Sequence, residues 1–169
     1  MAGIAISLSV FGFQPNITAQ SAASKRSQII AMYREYAREF PQVKGITVQK
    51  LQQLQQQNQN IILVDVRSPK EREVSIIPGA ITSEEFEANL EQYEDSNAII
   101  VAYCTIGYRS GKYASKLRQQ GIEILNLEGS LLAWSYIEGK LVDRNGSTNK
   151  VHVFGRQWQL TADDYQPIW

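Results

Sequence analysis

The sequence has little cysteine and little histidine: Cys104 is the single cysteine and His152 the single histidine among 169 residues. One cysteine excludes an internal disulfide and any metal or redox site that needs a cysteine pair. One histidine excludes most zinc sites, and catalysis by a Cys–His pair would require His152 to fold back onto Cys104. We therefore expect a protein that works without a metal or a cofactor.

An excess of charge of either sign is also missing. Seventeen basic residues balance seventeen acidic ones, so no overall field attracts nucleic acid or an anionic membrane. A local charged patch is still compatible with this balance. With 43% hydrophobic and 20% charged residues, the chain has the composition of one globular domain with its own core, and we expect no nucleic-acid partner.

The first 24 residues contain no charged side chain, and the first cation is Lys25. Residues 4–13 form an apolar run that has the length of a signal peptide and is too short to span a bilayer. Small residues follow the run, as at a cleavage site, but the basic segment that precedes such runs is absent. We interpret residues 1–23 as a leader, signal-like or disordered, with no stable membrane span. We favour a cytoplasmic location, and export is the alternative.

Strand and helix patterns alternate through the middle of the chain. The predicted strands are 46–48, 61–66, 98–103 and 122–127, and a turn at 78–79 leads into 80–81. The predicted helices are 24–40, one that starts at 48 and runs into the tract 55–60, 69–74, 83–93, 110–120 and 131–137. Repeated β–α units of this length predict an α/β fold with a mainly parallel central sheet and helices on both faces. We expect an N-terminal helix in 24–44, one domain in 45–142, and a C-terminal extension in 143–169. The extension should pack on the domain as an extended arm, because its aromatic residues need burial.

Three polar segments follow predicted strands. They are residues 65–67 (DVR), Cys104, and residues 127–129 (LEG). In an open parallel sheet, ligands bind beyond the carboxyl ends of the strands. The sequence therefore predicts that these three segments meet at one site.

The segment after Cys104 connects a strand directly to a helix. In such a turn, the N–H groups of residues 105–109 can point toward the sulfur, and Gly107 permits the backbone conformation that this requires. The start of the helix at Ser110 and the guanidinium of Arg109 add positive charge. These features favour a thiolate and predict that Cys104 is a nucleophile with a lowered pKa. The alternative is that Cys104 is only a small buried apolar residue.

Three motifs in this order resemble those of the rhodanese-like sulfurtransferases. Residues 104–110 (CTIGYRS) are similar to the active-site loop of that family. Residues 65–69 (DVRSP) with 77–81 (IPGAI), and residues 127–134 (LEGSLLAW), are similar to its upstream and downstream signatures. The resemblance covers roughly residues 45–141.

The resemblance implies a persulfide on Cys104, which is loaded from a small sulfur-containing anion such as thiosulfate and delivered to a thiol or cyanide-like acceptor. A protein persulfide is a further candidate partner. The residues expected to bind substrate are those of the loop: Thr105, Ile106, Gly107, Tyr108 and Arg109. Asp65, Arg67 and Ser110 are expected to support the site, Asp65 by organising loops rather than as a base.

Two departures from the family pattern stand out. Ser75-Ile76 replaces a Gly-His pair, and Ser130 replaces a second glycine. We interpret both as structural changes. Two other functions stay open: a non-catalytic binding or regulatory module, and phosphatase or arsenate reductase chemistry. The latter uses a Cys-x5-Arg loop, whereas Cys104 and Arg109 have Cys-x4-Arg spacing, which favours sulfur transfer.

Overall fold

A computed structural model of the chain describes residues 17–94 and 96–169. The predicted apolar run 4–13 lies outside the described residues, as does most of the leader. The helices are α1 (Ile17–Ala37), α2 (Val48–Gln56), α3 (Pro69–Val74), α4 (Ser83–Ala88), α5 (Leu90–Glu94), α6 (Tyr108–Arg118) and α7 (Ser130–Ser135), with a 3-10 turn at Arg156–Trp158. The strands are β1 (Gly45–Ile46), β2 (Ile61–Asp65), β3 (Ile81–Thr82), β4 (Ile99–Tyr103), β5 (Leu125–Leu127), β6 (Leu141–Asp143), β7 (Gly146–Thr148), β8 (Lys150–His152) and β9 (Gln166–Ile168).

The central sheet has five parallel strands in the order β1-β5-β4-β2-β3. Successive residues of β4 enter two different cores: Val101 and Tyr103 pack on one face, and Ile100 and Ala102 on the other. Burial on both faces explains why the central strands are almost continuously apolar. The structure confirms the predicted α/β fold with helices on both faces of a parallel sheet.

Local hydrogen bonding changes several predicted boundaries. The strand predicted over 46–48 ends at Ile46, because the Thr47 hydroxyl accepts the Lys50 N–H and caps α2. The helix predicted over 83–93 is two helices, because Asn89 leaves helical geometry between α4 and α5. The strand predicted from Ile122 begins at Leu125. The preceding residues complete the C-terminal turn of α6, with Gly121 at φ 90°.

The N-terminal helix α1 is longer at its start than the sequence pattern indicates. It begins at Ile17 rather than Ser24 and ends at Ala37. Ile29 is fully buried and Tyr33 is 7% exposed, so one face of α1 packs on the same core as β4 and α7. This position brings α1 next to the loop that follows β4.

The C-terminal extension forms two small sheets, an antiparallel β6–β7 pair and a parallel β8–β9 pair. Val151 and Val153 are fully buried in the main core. The extension is attached at Ser75 and Ile76, two of the three residues that depart from the family pattern. The Ser75 hydroxyl donates to the Lys150 carbonyl at 2.6 Å, and Ile76 pairs with Val142 through hydrogen bonds of 2.8 and 3.0 Å.

The expectation that the aromatic residues of the extension are buried is wrong for Trp169, which is 59% exposed, whereas Trp158 and Tyr165 pack against the core. Phe154, which the sequence did not single out, is 48% exposed. Burial in this segment comes instead from small aliphatic side chains on β8 and just after it. The aromatic side chain of Phe154 is therefore left at the surface.

Within the described residues, no helix is both long enough and apolar enough to cross a membrane.

A substitution in β8 tests whether the extension contributes to the core. Val151→Ala removes two buried methyl groups and should lower the free energy of unfolding by about 2 kcal/mol. Lys150→Ala on the same strand removes an exposed side chain and should change it by less than about 0.5 kcal/mol. Urea unfolding followed by circular dichroism measures both. Equal stability of the two variants would contradict the packing of β8 on the domain.

Candidate active site

Cys104 is the first residue after β4 and is 1% exposed. The chain then turns sharply, because Gly107 has φ 108°, a conformation that other residues rarely adopt. Gly107 is the N-cap of α6, which begins at Tyr108, two residues before the predicted start. The thiol therefore lies between the end of a strand and the first turn of a helix.

The sulfur is surrounded by hydrogen-bond donors. The Gly107 N–H donates to Cys104 Sγ at 3.1 Å, and the Ser110 hydroxyl oxygen lies 3.6 Å from it. Burial raises the pKa of Cys104, but the N–H and hydroxyl of Ser110 and the N–H groups of Gly107 and Ile106 lower it by more. The net shift of the pKa is downward, so the backbone favours the thiolate.

The N-terminus of α7 is hydrogen-bonded to the loop that begins at Cys104. Ser130 Oγ accepts the Cys104 N–H at 3.1 Å, and the N–H groups of Leu131 and Leu132 donate to the carbonyls of Cys104 and Thr105 at 3.3 and 3.1 Å. Ser130 has φ 46°, a conformation that suits glycine. The serine at this position adds a hydroxyl that satisfies the buried backbone N–H of Cys104.

Asn126 completes the support of the loop and was not identified from the sequence. Its side chain is buried on β5, where its amide donates to the Gly107 carbonyl at 2.8 Å and its Oδ1 accepts the Ser110 hydroxyl at 2.7 Å. A polar amide inside an otherwise apolar strand is the signal that could have revealed it, because buried polar groups need partners.

Helix α1 packs against the other side of the loop. A Cβ atom placed on Gly107 would lie 2.7 Å from the Tyr33 ring, so only glycine fits at this distance. Tyr108 packs on Tyr36 and Phe40, with ring centroids 5.2 and 5.8 Å apart, and is 36% exposed. The loop is therefore fixed between α1, β5 and α7.

Asp65 and Arg67 form a buried ion pair at the end of β2. Arg67 Nε and Nη2 donate to the two carboxylate oxygens of Asp65 at 2.9 and 2.6 Å, and Nη2 also donates to the Ser75 carbonyl at 2.5 Å. Both side chains are at most 2% exposed. They connect the end of β2 to the end of α3, because Arg67 reaches both Asp65 and the Ser75 carbonyl.

Arg109 pairs with Glu71 of α3 through both ends of its guanidinium, with Nη1–Oε2 2.8 Å and Nη2–Oε1 2.6 Å. Burial raises the pKa of Glu71, but the Arg109 guanidinium and the hydrogen bonds from Ser68 lower it by more, to about 2. His152 Nδ1 lies 3.9 Å from Glu71 Oε1, and burial lowers the pKa of His152, so the ring is mainly neutral at pH 7. The histidine of the extension thus folds back next to this ion pair.

The Arg109–Glu71 pair joins the loop after Cys104 to the helix that follows residues 65–67. Asn126 and the first turn of α7, on either side of residues 127–129, contact the same loop. Thr105 and Ile106 are buried and Tyr108 lies at the edge of the loop. Glu128 faces away, toward Gly45 and Tyr33. Among residues 17–94 and 96–169, no cluster of three or more Cys, His, Asp or Glu side chains could hold a metal ion.

The pH dependence of alkylation tests the state of the thiol. Because the N–H groups stabilise the anion, the iodoacetamide rate constant of the native protein should reach half its plateau at a pH clearly below about 8.5, the free-thiol value. The same chain in denaturant provides the control and should titrate near that value.

Gly107→Ala extends this test. An added Cβ would collide with the Tyr33 ring and oppose φ 108°, so the N–H groups should move away from the sulfur and the midpoint should rise toward the free value. If the native protein and the denatured chain had the same midpoint, the proposed stabilisation of the thiolate by these N–H groups would be contradicted.

Comparison with known proteins agrees with this geometry. The sequence model of the rhodanese-like domain matches residues 47–136. A sulfurtransferase from Allochromatium vinosum is 32% identical over 95 residues, which cover 55% of this chain and 89% of that protein. The putative sulfurtransferase YtwF from Bacillus subtilis is 28% identical over 106 residues, 62% of this chain and 99% of that protein.

A solved structure also shares the fold. The thiosulfate sulfurtransferase from Pseudomonas aeruginosa superposes with a TM-score of 0.52 at 16% identity, over 85% of this chain and 26% of that one. The order of the motifs, the parallel sheet and the family match lead to one conclusion: the chain belongs to the rhodanese-like domain family, in which its curated relatives are named sulfurtransferases.

Proposed function

We propose that this protein is a sulfurtransferase that carries a sulfane sulfur on Cys104 as a persulfide, from a donor such as thiosulfate to a thiophilic acceptor. The observation that carries the proposal is the set of N–H groups aimed at a buried sulfur. The names of the curated relatives support the same chemistry.

In the first half-reaction, the Cys104 thiolate attacks the outer sulfur of the donor. With thiosulfate, a bond forms between Cys104 Sγ and that sulfur, the sulfur–sulfur bond of the donor breaks, and sulfite leaves with the electron pair. The negative charge then resides on the outer sulfur of the persulfide. In this proposal, the N–H groups of residues 106, 107 and 110, which favour the thiolate, also bind this outer sulfur.

In the second half-reaction, a thiolate or cyanide acceptor attacks the outer sulfur, and Cys104 leaves as a thiolate. A thiolate of low pKa is a good leaving group. The N–H groups that stabilise the Cys104 thiolate for loading therefore also promote delivery of the sulfur. In this proposal the loop residues 105–109 contact the transferred sulfur and the donor, while Asp65, Arg67 and Ser110 hold the loop and the turn beside it.

Phosphatase chemistry is less well supported. Transfer of a phosphoryl group requires an arginine fork that faces the phosphate oxygens. Here both ends of the Arg109 guanidinium contact Glu71. The N–H groups of the short loop suit a single sulfur atom, and this arrangement favours sulfur transfer over the alternative.

Intact-mass spectrometry tests the proposal directly. After incubation with a sulfane-sulfur donor and removal of excess reagent, the protein should gain the mass of one sulfur atom, and cyanide should remove it with release of thiocyanate. Cys104→Ser should gain nothing, because the chain has no other cysteine. A native protein whose thiol can be alkylated but which gains no sulfur from any sulfane donor would exclude the function.

A further inference from the structure

The arginine of the active-site loop is already occupied by a carboxylate of the same chain. Two Arg109 nitrogens donate to the two oxygens of Glu71 at 2.6 and 2.8 Å, and Nη2 also lies 3.4 Å from Thr105 Oγ1. A bidentate pair of this kind is the geometry in which a guanidinium binds an anionic ligand. Glu71 therefore holds the position that an oxyanion of a donor would need.

One face of the same guanidinium is covered by the C-terminal extension. The Phe154 ring centroid lies 5.1 Å from Arg109 Cζ, in a cation–π contact, and Phe154 packs in turn on His152 and Trp158. With its edge on Glu71 and its face on Phe154, Arg109 is fixed in place from two sides.

A second ion pair lies beside the first. Arg67 is buried and bonded to Asp65, and residues 105–108 of the loop (TIGY) carry no charge. The charges of these two arginines and two carboxylates sum to zero, so a Cys104 thiolate adds one negative charge to the group. Of the cations on α3, Lys70 is exposed and the Arg72 guanidinium donates to the Arg67 carbonyl.

A small dianion is poorly matched to such a site. Thiosulfate carries two negative charges and would approach a thiolate beside an Arg109 guanidinium whose two terminal nitrogens already bind Glu71. A mercaptopyruvate carboxylate would meet the same paired guanidinium. An organic persulfide, R–S–SH, brings at most one negative charge on its sulfur atoms and needs no oxyanion site.

We propose that Glu71 determines donor specificity by occupying Arg109, so that the preferred donor is an organic persulfide rather than thiosulfate. This inference rests on the proposed sulfur transfer. In the loading step, the Cys104 thiolate attacks the terminal sulfur of R–S–SH. A new bond forms between Cys104 Sγ and that sulfur, and the sulfur–sulfur bond of the donor breaks. The thiolate R–S⁻ leaves with the electron pair and the proton stays on the transferred sulfur, so no oxidant or reductant is required.

The surface next to the loop suits the carbon part of such a donor. Phe154 lies against the Arg109 guanidinium and is 48% exposed. Tyr108, which precedes Arg109 in the sequence, is 36% exposed. Aromatic side chains at these positions offer apolar contact to the R group and none of the positive charge that an inorganic anion needs.

The test measures the second-order rate constants for loading Cys104 with cysteine persulfide and with thiosulfate, by rapid quench and intact-mass spectrometry. The ammonium and carboxylate groups of cysteine persulfide cancel, which leaves at most one negative charge on sulfur. In the native protein, cysteine persulfide should load Cys104 at least about tenfold faster than thiosulfate.

Glu71→Gln should reverse the bias. Glutamine keeps the size of the side chain and an oxygen for the Ser68 hydrogen bonds of the α3 cap, but leaves Arg109 with an uncompensated charge. The thiosulfate rate constant should rise at least about tenfold, and the persulfide constant should change by less than about threefold. Glu123→Gln is the matched control. It changes the net charge equally, at an exposed pair with Lys44 that precedes β5 at the opposite end of the sheet, and should leave both constants unchanged.

Salt dependence gives a measurement that needs no variant. Because like charges repel less at higher ionic strength, the thiosulfate rate constant of the native protein should increase between low and high sodium chloride. If it decreases, a free cation binds the donor and the inference is overturned, whether or not Glu71→Gln folds. Equal or faster loading by thiosulfate, or an unchanged donor ratio in a folded Glu71→Gln protein, also overturns it while leaving sulfur transfer intact. Failure of both donors to load Cys104 would exclude sulfur transfer itself, and the specificity with it.

Discussion

The structure of this domain depends on burying a sulfur atom while holding its pKa below the ordinary value. Burial alone would raise the pKa of Cys104 and make the thiol inert, so the loop must present N–H groups in one orientation. That orientation requires φ 108° at Gly107. Helix α1, Asn126 and the first turn of α7 each contact the loop from a different direction, and together they prevent it from relaxing. The packing around this loop thus fixes the backbone conformation at Gly107, which sets the direction of the N–H groups.

The C-terminal extension shows how a common domain acquires its own features. It lies beyond the region that matches the family, yet it supplies Val151 and Val153 to the core and places His152 and Phe154 beside the loop. Its attachment uses Ser75 and Ile76, two of the three residues that depart from the family signature. The Ser75 hydroxyl makes a hydrogen bond that glycine could not make, whereas the Ile76 pair uses backbone atoms alone and does not explain its side chain. Neither departure changes Cys104 or the loop residues 105–109.

The sequence was sufficient to predict the parallel sheet and the placement of Cys104 between a strand and a helix. Both follow from local patterns, namely apolar runs, turn residues and the spacing of a short loop. The contacts between distant segments were not predictable in this way. The pairing of Arg109 with Glu71 joins α6 to α3, and no periodicity connects these residues. Thr47 was assigned to a strand because β-branched residues favour strands, whereas its hydroxyl caps α2. Trp169 was expected to be buried but is exposed, because aromatic composition alone does not show which ring faces outward.

The hydrogen bonds of Asn126 have a consequence for the proton of Ser110. The Gly107 carbonyl can only accept, so it fixes the amide of Asn126 with its oxygen toward Ser110, 2.7 Å away. A hydroxyl has one proton, and either Asn126 Oδ1 at 2.7 Å or Cys104 Sγ at 3.6 Å can accept it. Toward a thiolate the Ser110 hydroxyl can donate together with the backbone N–H groups, and with a neutral thiol it can donate to Asn126 and accept the S–H. The same pocket accommodates the sulfur before and after it loses its proton, with no rearrangement of heavy atoms.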